Sequence, residues 1–334
     1  MALKEKVLAY LEANRGASVS GEELAVLFGV SRTAVWKAIS ALKAEGHLID
    51  AGTNRGYTLA LNSDVLTHSG ILSYLSSPQD TYCIEVHQTI GSTNQYAKEL
   101  AAKGAPHGTV IVAASQTQGR GRLGRCFTSP PGGIYFSFLL RPALTAEKGL
   151  CFTTAACVGV CNAIEQTTGI IPAIKWVNDI YVNDKKVCGI LTEAATNFET
   201  GTLEYVIVGI GVNFATPSAY FEGELAEIAT SLYPDEPAPF SRNQIAAALI
   251  ENVGKALQQP ESPHIMAAYK QKSFLPGRMV QVCSTSISTD AGRTALVNSI
   301  DDAGRLLVTY QDDGSTAALS SGEVRLRLTA SKKK

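Results

Sequence analysis

The first sixty residues place apolar side chains at helical spacing in three successive segments. The first segment covers residues 4–13, the second opens at Ser20 with a capping box, and the third opens at Ser31. Gly29 separates the last two and is expected to end the second helix. Apolar and polar residues then alternate over residues 47–60, which predicts a two-stranded hairpin. This order is typical of a winged helix-turn-helix.

The third predicted helix has one apolar and one polar face. Val35, Ile39 and Leu42 share the apolar face, so the opposite side should face solvent. Its residue types, with those of the hairpin tip, suit contacts to bases and phosphates. The predicted DNA-binding residues are Ser31, Arg32, Thr33, Trp36, Lys37, Ser40 and Arg55. The alternative is a three-helix interaction module. Because one head carries few cations, DNA binding would require two heads on a two-fold-related operator.

Strand-like and helical runs alternate in the centre of the chain. Helices fit best at 92–103 and 146–168, and two more follow at 245–257 and 266–270. The runs that predict strands are 81–87, 108–115, 133–140, 173–182, 186–194 and 204–214. Because strands outnumber helices and tight turns join several of them, we expect a mixed β-sheet with packed helices. No GxGxxG follows the first strand, which disfavours a Rossmann fold.

The last sixty residues again change pattern. After Pro276 and Gly277, short alternating runs at 279–284, 293–300, 305–310 and 323–328 are separated by glycine-containing turns, which predicts a small SH3-like β-barrel. The chain is therefore predicted to be an α+β protein of three domains, with boundaries at residues 1–62, 63–273 and 274–330.

Composition narrows the class of protein. The 334 residues are 45% hydrophobic and 18% charged, which permits a large core and does not suit a disordered chain. Thirty acidic residues against 29 basic ones give a net charge of −1, so any nucleic-acid surface must be local. The seven cysteines form no CxxC pair, which suggests neither a disulfide framework nor a zinc site. Without a long apolar run or a signal core, we expect a cytoplasmic protein with no membrane segment.

The segment from Gln116 to Arg125 carries the strongest chemical signal. It reads QTQGRGRLGR and lies between two predicted strands. Glycines let the backbone approach a ligand closely, and arginine forks match phosphate oxygens. The segment is therefore predicted to bind a polyanion. The alternative is a flexible surface loop.

A second signal is the pair Asp179 and Lys186. The aspartate ends the motif KWVND, and the lysine opens the next strand, in KVCGILTE. A lysine within so apolar a run is costly unless it meets an anion. We therefore expect both side chains to project into one cleft. The alternatives are a solvated lysine at the hairpin edge, and an aspartate that only holds the turn through Asn183.

Five motifs together resemble those of bacterial biotin protein ligases. They are GSTN at 91–94, QxxGRGRxGR at 116–125, KWxND at 175–179, KVCGILTE at 186–193 and GIGVN at 209–213. With the winged-helix head, the chain resembles the bifunctional biotin protein ligase and biotin operon repressor family, the BirA family, along essentially its whole length. The resemblance implies a class II aminoacyl-tRNA-synthetase-like central fold.

The resemblance also implies a reaction and its partners. Biotin and ATP would form biotinyl-5′-AMP, with Mg²⁺ accompanying ATP, and a lysine of biotin carboxyl carrier protein would then accept biotin. The adenylate would promote a homodimer that binds operator DNA. The residues implied as catalytic are Lys186, Asp179 and Arg122. Those implied for biotin are Ser92, Thr93, Asn94, Gln116, Gly119, Arg120, Gly121, Arg122, Lys186 and Gly189. Those implied for ATP are Arg122, Arg125, Phe127, Lys175, Asn178, Lys186 and Asn213.

Three residues depart from the pattern of the family. Val177 stands where proline is usual, Phe127 where tryptophan is common, and Leu123 where a basic residue often stands. We expect weaker nucleotide affinity at most. Two other functions stay open: a lipoate or octanoate ligase of the related fold, and a DNA-binding sensor without turnover. Ser92 is also open to a purely structural role as a helix N-cap, with Gln95 completing the box.

Overall fold

The computed structural model describes residues 2–52, 55–76, 81–197, 199–236, 238–284, 292–320 and 324–328. The strands in these ranges form three separate sheets. No single helix in the same ranges has the length and apolar character that crossing a membrane requires.

The N-terminal head confirms the predicted helix-turn-helix. Ser20 accepts a hydrogen bond from the Glu23 backbone and Glu23 returns one, while Gly29 takes the left-handed conformation at φ 65°. A two-stranded wing was predicted, and a short third strand, β1, also pairs with it. Of the hairpin turn, residues 53 and 54 lie outside the described ranges. The elements of the head are α1 (Leu3–Ala13), β1 (Ser18–Val19), α2 (Gly21–Phe28), α3 (Arg32–Ala44), β2 (Ile49–Gly52) and β3 (Gly56–Leu59).

The central unit is built on one seven-stranded sheet in the order β4-β5-β6-β10-β9-β8-β7. Only β4 and β5 run parallel, which confirms the prediction of a mixed sheet. Its strands are β4 (Cys83–His87), β5 (Thr109–Ala113), β6 (Ile134–Leu140), β7 (Ala173–Lys175), β8 (Asp179–Val182), β9 (Lys185–Thr196) and β10 (Leu203–Val212). Its helices are α4 (His68–Tyr74), α5 (Thr93–Ala102), α6 (Leu150–Thr168), α7 (Glu224–Ile228), α8 (Arg242–Gln258) and α9 (Pro263–Lys272).

One predicted strand is wrong. The run 173–182 forms two antiparallel strands, in which Lys175 pairs with Asp179. The sequence between them contains neither glycine nor proline, but tertiary hydrogen bonds satisfy its polar groups. Asn178 Nδ2 donates to the Ile190 carbonyl at 2.7 Å, and Trp176 Nε1 donates to the Gly304 carbonyl at 2.9 Å. These long-range partners stabilise a reversal that the local pattern does not indicate.

Helices cover both faces of the sheet. On one face α6 and α8 pack closely, because Gly159 has no side chain. A Cβ there would lie 2.6 Å from the Val253 backbone. On the other face α5 packs through Ala97 and Ala101 against alternate residues of the strands. The N-terminus of α5 therefore lies over the middle of the sheet, beside β9 and β10.

The C-terminal sheet is antiparallel, in the order β14-β13-β12-β11-β15. In the described ranges β14 and β15 lie at its two edges, so the sheet is open there. Sequence patterning predicted four of its strands and missed β14. They are β11 (Met279–Ser284), β12 (Arg293–Ile300), β13 (Leu306–Tyr310), β14 (Thr316–Leu319) and β15 (Val324–Leu328).

Candidate active site

A cavity of about 220 Å³ lies between the N-terminus of α5, the segment 116–129 and strands β8 to β10. Most of the residues that the sequence nominated as ligand contacts meet in its wall. They are Ser92, Thr93, Asn94, Gln116, Arg120, Gly121, Arg122, Arg125, Phe127, Lys175, Asn178, Asp179, Lys186 and Gly189.

Two nominated residues lie outside this wall. Gly119 lines an adjoining cavity, where a side chain would clash with the Phe127 carbonyl at 2.2 Å. Asn213 is buried beside β9, and its Nδ2 donates to the Thr230 carbonyl at 3.0 Å. The structure thus places Asn213 next to the cavity rather than in its lining.

The expected juxtaposition of Lys186 and Asp179 is present. Lys186 Nζ lies 2.6 Å from Asp179 Oδ1, and both side chains are about a quarter exposed. Within the described lining, five cationic side chains face this single carboxylate: Arg120, Arg122, Arg125, Lys175 and Lys186. Such an excess of positive charge in a recess attracts an anionic ligand.

Two of these cations are partly desolvated. Burial lowers the pKa of Lys175, with Asp179 opposing the shift, and burial likewise lowers the pKa of Arg122. Arg122 Nη1 also donates to Asn178 Oδ1 at 3.3 Å. Desolvated cations gain more from a phosphate or carboxylate than cations in bulk water do. The Arg122 side of the cavity is therefore suited to a polyanion.

The opposite end of the cavity is neutral and polar. Gln116 Oε1 accepts from the Thr93 backbone at 2.8 Å and lies 3.1 Å from Thr93 Oγ1. Gln116 Nε2 donates to Ser129 Oγ at 2.9 Å. Ser92 accepts from the Gln95 backbone and so caps α5 while it also lines the cavity. These groups can exchange hydrogen bonds with a small polar ring.

The Phe127 ring lies across the glycine-rich strands. A side chain at Gly211 would meet this ring at 2.4 Å, and one at Gly189 would meet it at 2.9 Å. Lys186 Nζ lies 5.7 Å from the ring centroid. The glycines therefore leave space for an aromatic side chain in the floor of the cavity, between its cationic and its polar end.

Sequence reasoning missed part of the lining. Trp176, Ile190, Leu191 and Ile210 supply apolar wall, and Leu123 and Cys126 belong to the arginine-rich segment. Along β10, apolar residues alternate with Gly209 and Gly211, whereas in β9 Gly189 is followed by Ile190 and Leu191. This alternation was a usable signal.

Five of the seven nominated DNA-binding residues line one groove of the head. Trp36 is 58% exposed, while Val35, Ile39 and Leu42 are buried, as predicted. A groove between α3 and the wing is lined by Arg32, Thr33, Trp36, Ser40 and Arg55. Ser31 caps α3, and Lys37 is exposed outside the groove. Glu22 also lines the groove and lies 3.5 Å from Arg32, which reduces the positive charge there.

Two family descriptions match the chain. The "Biotin/lipoate A/B protein ligase family" matches residues 86–213, and the "HTH domain" matches residues 4–58. Among solved structures, a biotin protein ligase from Aquifex aeolicus in complex with biotin and ATP aligns with a TM-score of 0.61 and 27% identity. This alignment covers 74% of the chain and 99% of that protein.

Curated relatives match both parts of the chain. The bifunctional ligase/repressor BirA of Bacillus subtilis is 40% identical over 215 residues, which span 64% of this chain and 66% of that protein. The bifunctional ligase/repressor BirA of Escherichia coli is 30% identical over 339 residues, which span 96% of each. The head, the cavity and this end-to-end match place the chain in the family of bifunctional ligase/repressor BirA proteins.

Proposed function

We propose that this protein is an ATP-dependent biotin protein ligase that also represses the biotin biosynthesis operon. The observation that carries the enzymatic part is the cavity in which Lys186, Asp179 and the arginine-rich segment meet. Family membership supports both roles, and the exposed face of α3 supports the second.

The first step joins two anions. An oxygen of the biotin carboxylate attacks the α-phosphorus of ATP, the bond from that phosphorus to the bridging oxygen breaks, and pyrophosphate leaves. A cation about 4 Å from the reacting oxygens stabilises each unit of charge by roughly 4 kcal/mol at an effective dielectric of 20. Lys186 would contact both the carboxylate and the α-phosphate, and Arg122 and Arg125 would hold the remaining phosphate charge.

Mg²⁺ would arrive with ATP and neutralise phosphate charge. This ion takes oxygen ligands, commonly one or two carboxylates together with substrate phosphates. Asp179 is the one carboxylate in the described lining, so it suits this role. Its salt bridge also holds the Lys186 ammonium in place before substrates bind.

The second step transfers biotin to a biotin carboxyl carrier protein. The neutral amine of a carrier lysine attacks the carboxyl carbon of biotinyl-5′-AMP, the bond from that carbon to the phosphate oxygen breaks, AMP leaves with the bonding electrons, and the new amide nitrogen releases one proton to water. Until the carrier arrives, water must be excluded from the mixed anhydride. The segment around Arg122 would cover it, and Asp179 would position the incoming amine.

Biotin would bind with its ureido ring at the polar end of the cavity. Ser92, Thr93, Asn94 and Gln116 offer the donors and acceptors that this ring requires. The apolar walls beside Gly189 and Gly209 would hold the thiophene ring and valeryl chain. The backbone of Gly119, Arg120 and Gly121 would contact biotin. The residues that would contact ATP are Phe127, Lys175, Asn178 and Asn213.

The regulatory proposal couples this cavity to DNA. Biotinyl-5′-AMP would order the segment 116–132 and stabilise a homodimer, whose two heads bind a two-fold-related operator through Ser31, Arg32, Thr33, Trp36, Lys37, Ser40 and Arg55. Carrier protein would compete for the same face. Because ATP, carrier protein and operator DNA would meet in the cytoplasm, we propose that the protein acts there.

The domain boundaries follow the same proposal. Residues 1–62 would form the DNA-binding domain, 63–273 the catalytic domain on a class II synthetase-like sheet, and 274–330 an SH3-like domain. The five antiparallel strands of the C-terminal sheet support the last assignment. Its attachment through Trp176 supports a role beside the nucleotide end of the cavity.

Titration distinguishes the proposal from its closest rival, a lipoate or octanoate ligase. Isothermal titration should detect binding of biotin and none of lipoate or octanoate, because only biotin has a ureido group to match the polar end. Binding of lipoate in preference to biotin would contradict the proposal. A second rival, a DNA-binding sensor without turnover, would bind biotin and ATP but release no pyrophosphate.

A further inference from the structure

A chain of hydrogen bonds runs behind the polar end of the cavity. Lys98 Nζ lies 2.6 Å from Glu193 Oε1, and Glu193 Oε2 accepts from Asn94 Nδ2 at 2.9 Å. The Ser137 hydroxyl oxygen lies 2.7 Å from Asn94 Oδ1 and 2.8 Å from Thr93 Oγ1. Of these residues, only Thr93 and Asn94 line the cavity itself. Glu193 lines the adjoining one.

The charged end of this chain determines which way the Asn94 amide faces. A carboxylate can only accept hydrogen bonds, so Nδ2 must face Glu193, and it also lies 3.3 Å from the Leu191 carbonyl. Burial tends to raise the pKa of Glu193, but hydrogen bonds from Lys98 and Asn94 outweigh it and lower that pKa. The acceptor therefore persists at neutral pH, and Asn94 Oδ1 faces Ser137.

The orientation of Asn94 in turn determines the polarity of the next two groups. Ser137 has one hydroxyl proton, and Asn94 Oδ1 can only accept, so the proton points to Asn94. Ser137 then offers Thr93 a lone pair. The Thr93 proton goes either to Ser137 or to Gln116 Oε1, which lies 3.1 Å away. In both cases Thr93 offers a lone pair, not a proton, to a ligand in the cavity.

We propose that Ser137, Glu193 and Lys98 are positioning residues that hold Thr93 as an acceptor for a ligand N–H group. This inference rests on the proposed function, in which the ureido N–H of biotin is that donor. Ser137 is fully buried in β6, where the other side chains are aliphatic or aromatic and Tyr135 turns its hydroxyl to the Pro130 carbonyl. Asn94 packs directly on the Gly209 backbone, where an added side-chain carbon would lie 1.9 Å from its Oδ1.

The test is the steady-state kinetics of pyrophosphate release, with biotin and with the two cyclic carbamates in which one ureido N–H is replaced by oxygen. Ser137→Ala should raise the KM for biotin about ten-fold while kcat and the KM for ATP stay unchanged. It should also reduce the discrimination between biotin and one carbamate. A purely structural role would lower the active fraction equally for all three ligands.

The matched control is Thr109→Val. Thr109 is a buried residue of β5 in the same sheet, and its hydroxyl donates to the Pro106 carbonyl, away from the cavity. This variant should keep both the KM for biotin and the ligand discrimination of the wild type.

A second pair of variants tests the charged end by rescue. In Glu193→Gln the amide oxygen should turn to the Lys98 ammonium, which leaves an N–H facing Asn94 and reverses the chain. The KM for biotin should rise as in Ser137→Ala. Adding Lys98→Met removes the competing ammonium, frees that oxygen for Asn94 and should restore the wild-type KM.

The outcomes separate this inference from the proposed function. A wild-type protein that releases no pyrophosphate with biotin and ATP would overturn the proposed function, and this inference with it. An active wild type whose Ser137→Ala variant keeps its KM and discrimination would overturn the inference alone. Should Ser137→Ala not fold, an unchanged KM in Glu193→Gln, or a failure of Lys98→Met to restore it, would overturn the inference equally.

Discussion

Lys186 and Asp179 form a salt bridge of 2.6 Å across the paired strands β8 and β9. Lys186 supplies the positive charge that the two anionic substrates require. Asp179 is the one carboxylate in the described lining of the cavity. Because the strands hold both side chains, the charge is positioned before the ligands arrive, which is the arrangement that lowers the barrier of a phosphoryl-centred reaction.

Removal of the Lys186 ammonium should block adenylation. Lys186→Ala should lower the rate of pyrophosphate release on the order of 100- to 1,000-fold, because the carboxylate and the α-phosphate then repel each other without compensation. The matched control is Lys185→Ala, since Lys185 Nζ donates to the Ala226 carbonyl outside the cavity. Wild-type rates in Lys186→Ala would count heavily against the assignment and would favour a sensor without turnover.

Loss of Arg122 should release the reactive intermediate. Arg122→Gly removes a half-buried guanidinium from the cavity wall, so biotinyl-5′-AMP should escape and label bystander lysines several-fold more than the wild type does. Streptavidin blots of an added non-substrate protein measure this labelling. Arg305→Ala, at an exposed arginine just before β13, should not increase it. If Arg122→Gly labels no more than Arg305→Ala, the covering role is wrong.

A methyl group at Gly209 should weaken biotin binding. The new Cβ would lie 1.9 Å from Asn94 Oδ1, so the asparagine must leave its place at the polar end. Titration calorimetry of Gly209→Ala should show a biotin affinity roughly ten-fold lower or worse. Gly149→Ala is the control, because nothing lies within 4 Å of its added carbon. Equal affinities in the two variants would contradict the placement of biotin.

The head should lose stability in mild acid. The His47 side chain is 3% exposed, and neither ring nitrogen has a hydrogen-bond partner within the described residues. Burial lowers the pKa of His47; Glu45 opposes this, and Arg15 and Lys4 add to it. The unfolded chain therefore binds more protons below about pH 6.5, so the free energy of unfolding falls as the pH falls through and below that value.

Trp36 fluorescence measures this effect. The protein has two tryptophans, so a Trp176→Phe background leaves Trp36 as the single reporter, within the head. The free energy of unfolding should be lower at pH 5.5 than at pH 7.5. His47→Leu should diminish this difference, whereas His68→Gln, a control at an exposed histidine, should keep it. An equal pH dependence in all three proteins would remove His47 as its cause.

Ligand-dependent dimerisation can be measured by sedimentation. Biotin with ATP should raise the dimer fraction of the wild type, because biotinyl-5′-AMP stabilises the dimer selectively. Lys186→Ala should stay monomeric under the same conditions, since it forms no intermediate. An unchanged monomer fraction in the wild type would rule out the regulatory proposal.

The local pattern of the chain predicts much of this fold. Capping at Ser20 and the left-handed turn at Gly29 are encoded within a few residues, and both are present. The reversal at Trp176 was missed because its hydrogen-bond partners lie far along the chain, at Gly304 and on Tyr269. The short strands β1 and β14 lack the length that an alternating pattern needs to be recognised.

In the candidate site, too, some residues are recognisable from the local sequence and others only from partners that are distant in the chain. Motifs with unusual chemistry, such as the arginine-rich segment and Lys186, are visible without a structure because charge in an apolar context is costly. Ser137 was visible only as a serine among the aliphatic and aromatic residues of its strand. Glu193 ends the motif KVCGILTE, but its role was not visible, because its partners Asn94 and Lys98 come from a helix about a hundred residues earlier in the sequence.

The central claim is that the cationic cavity joins biotin to AMP and passes biotin to a carrier lysine. Mass spectrometry of a biotin carboxyl carrier domain, incubated with this protein, biotin and ATP, tests it most directly. We predict the addition of one biotinyl group to a single lysine, dependent on ATP and absent with Lys186→Ala. An unmodified carrier domain in the presence of wild-type protein and both substrates would contradict the claim.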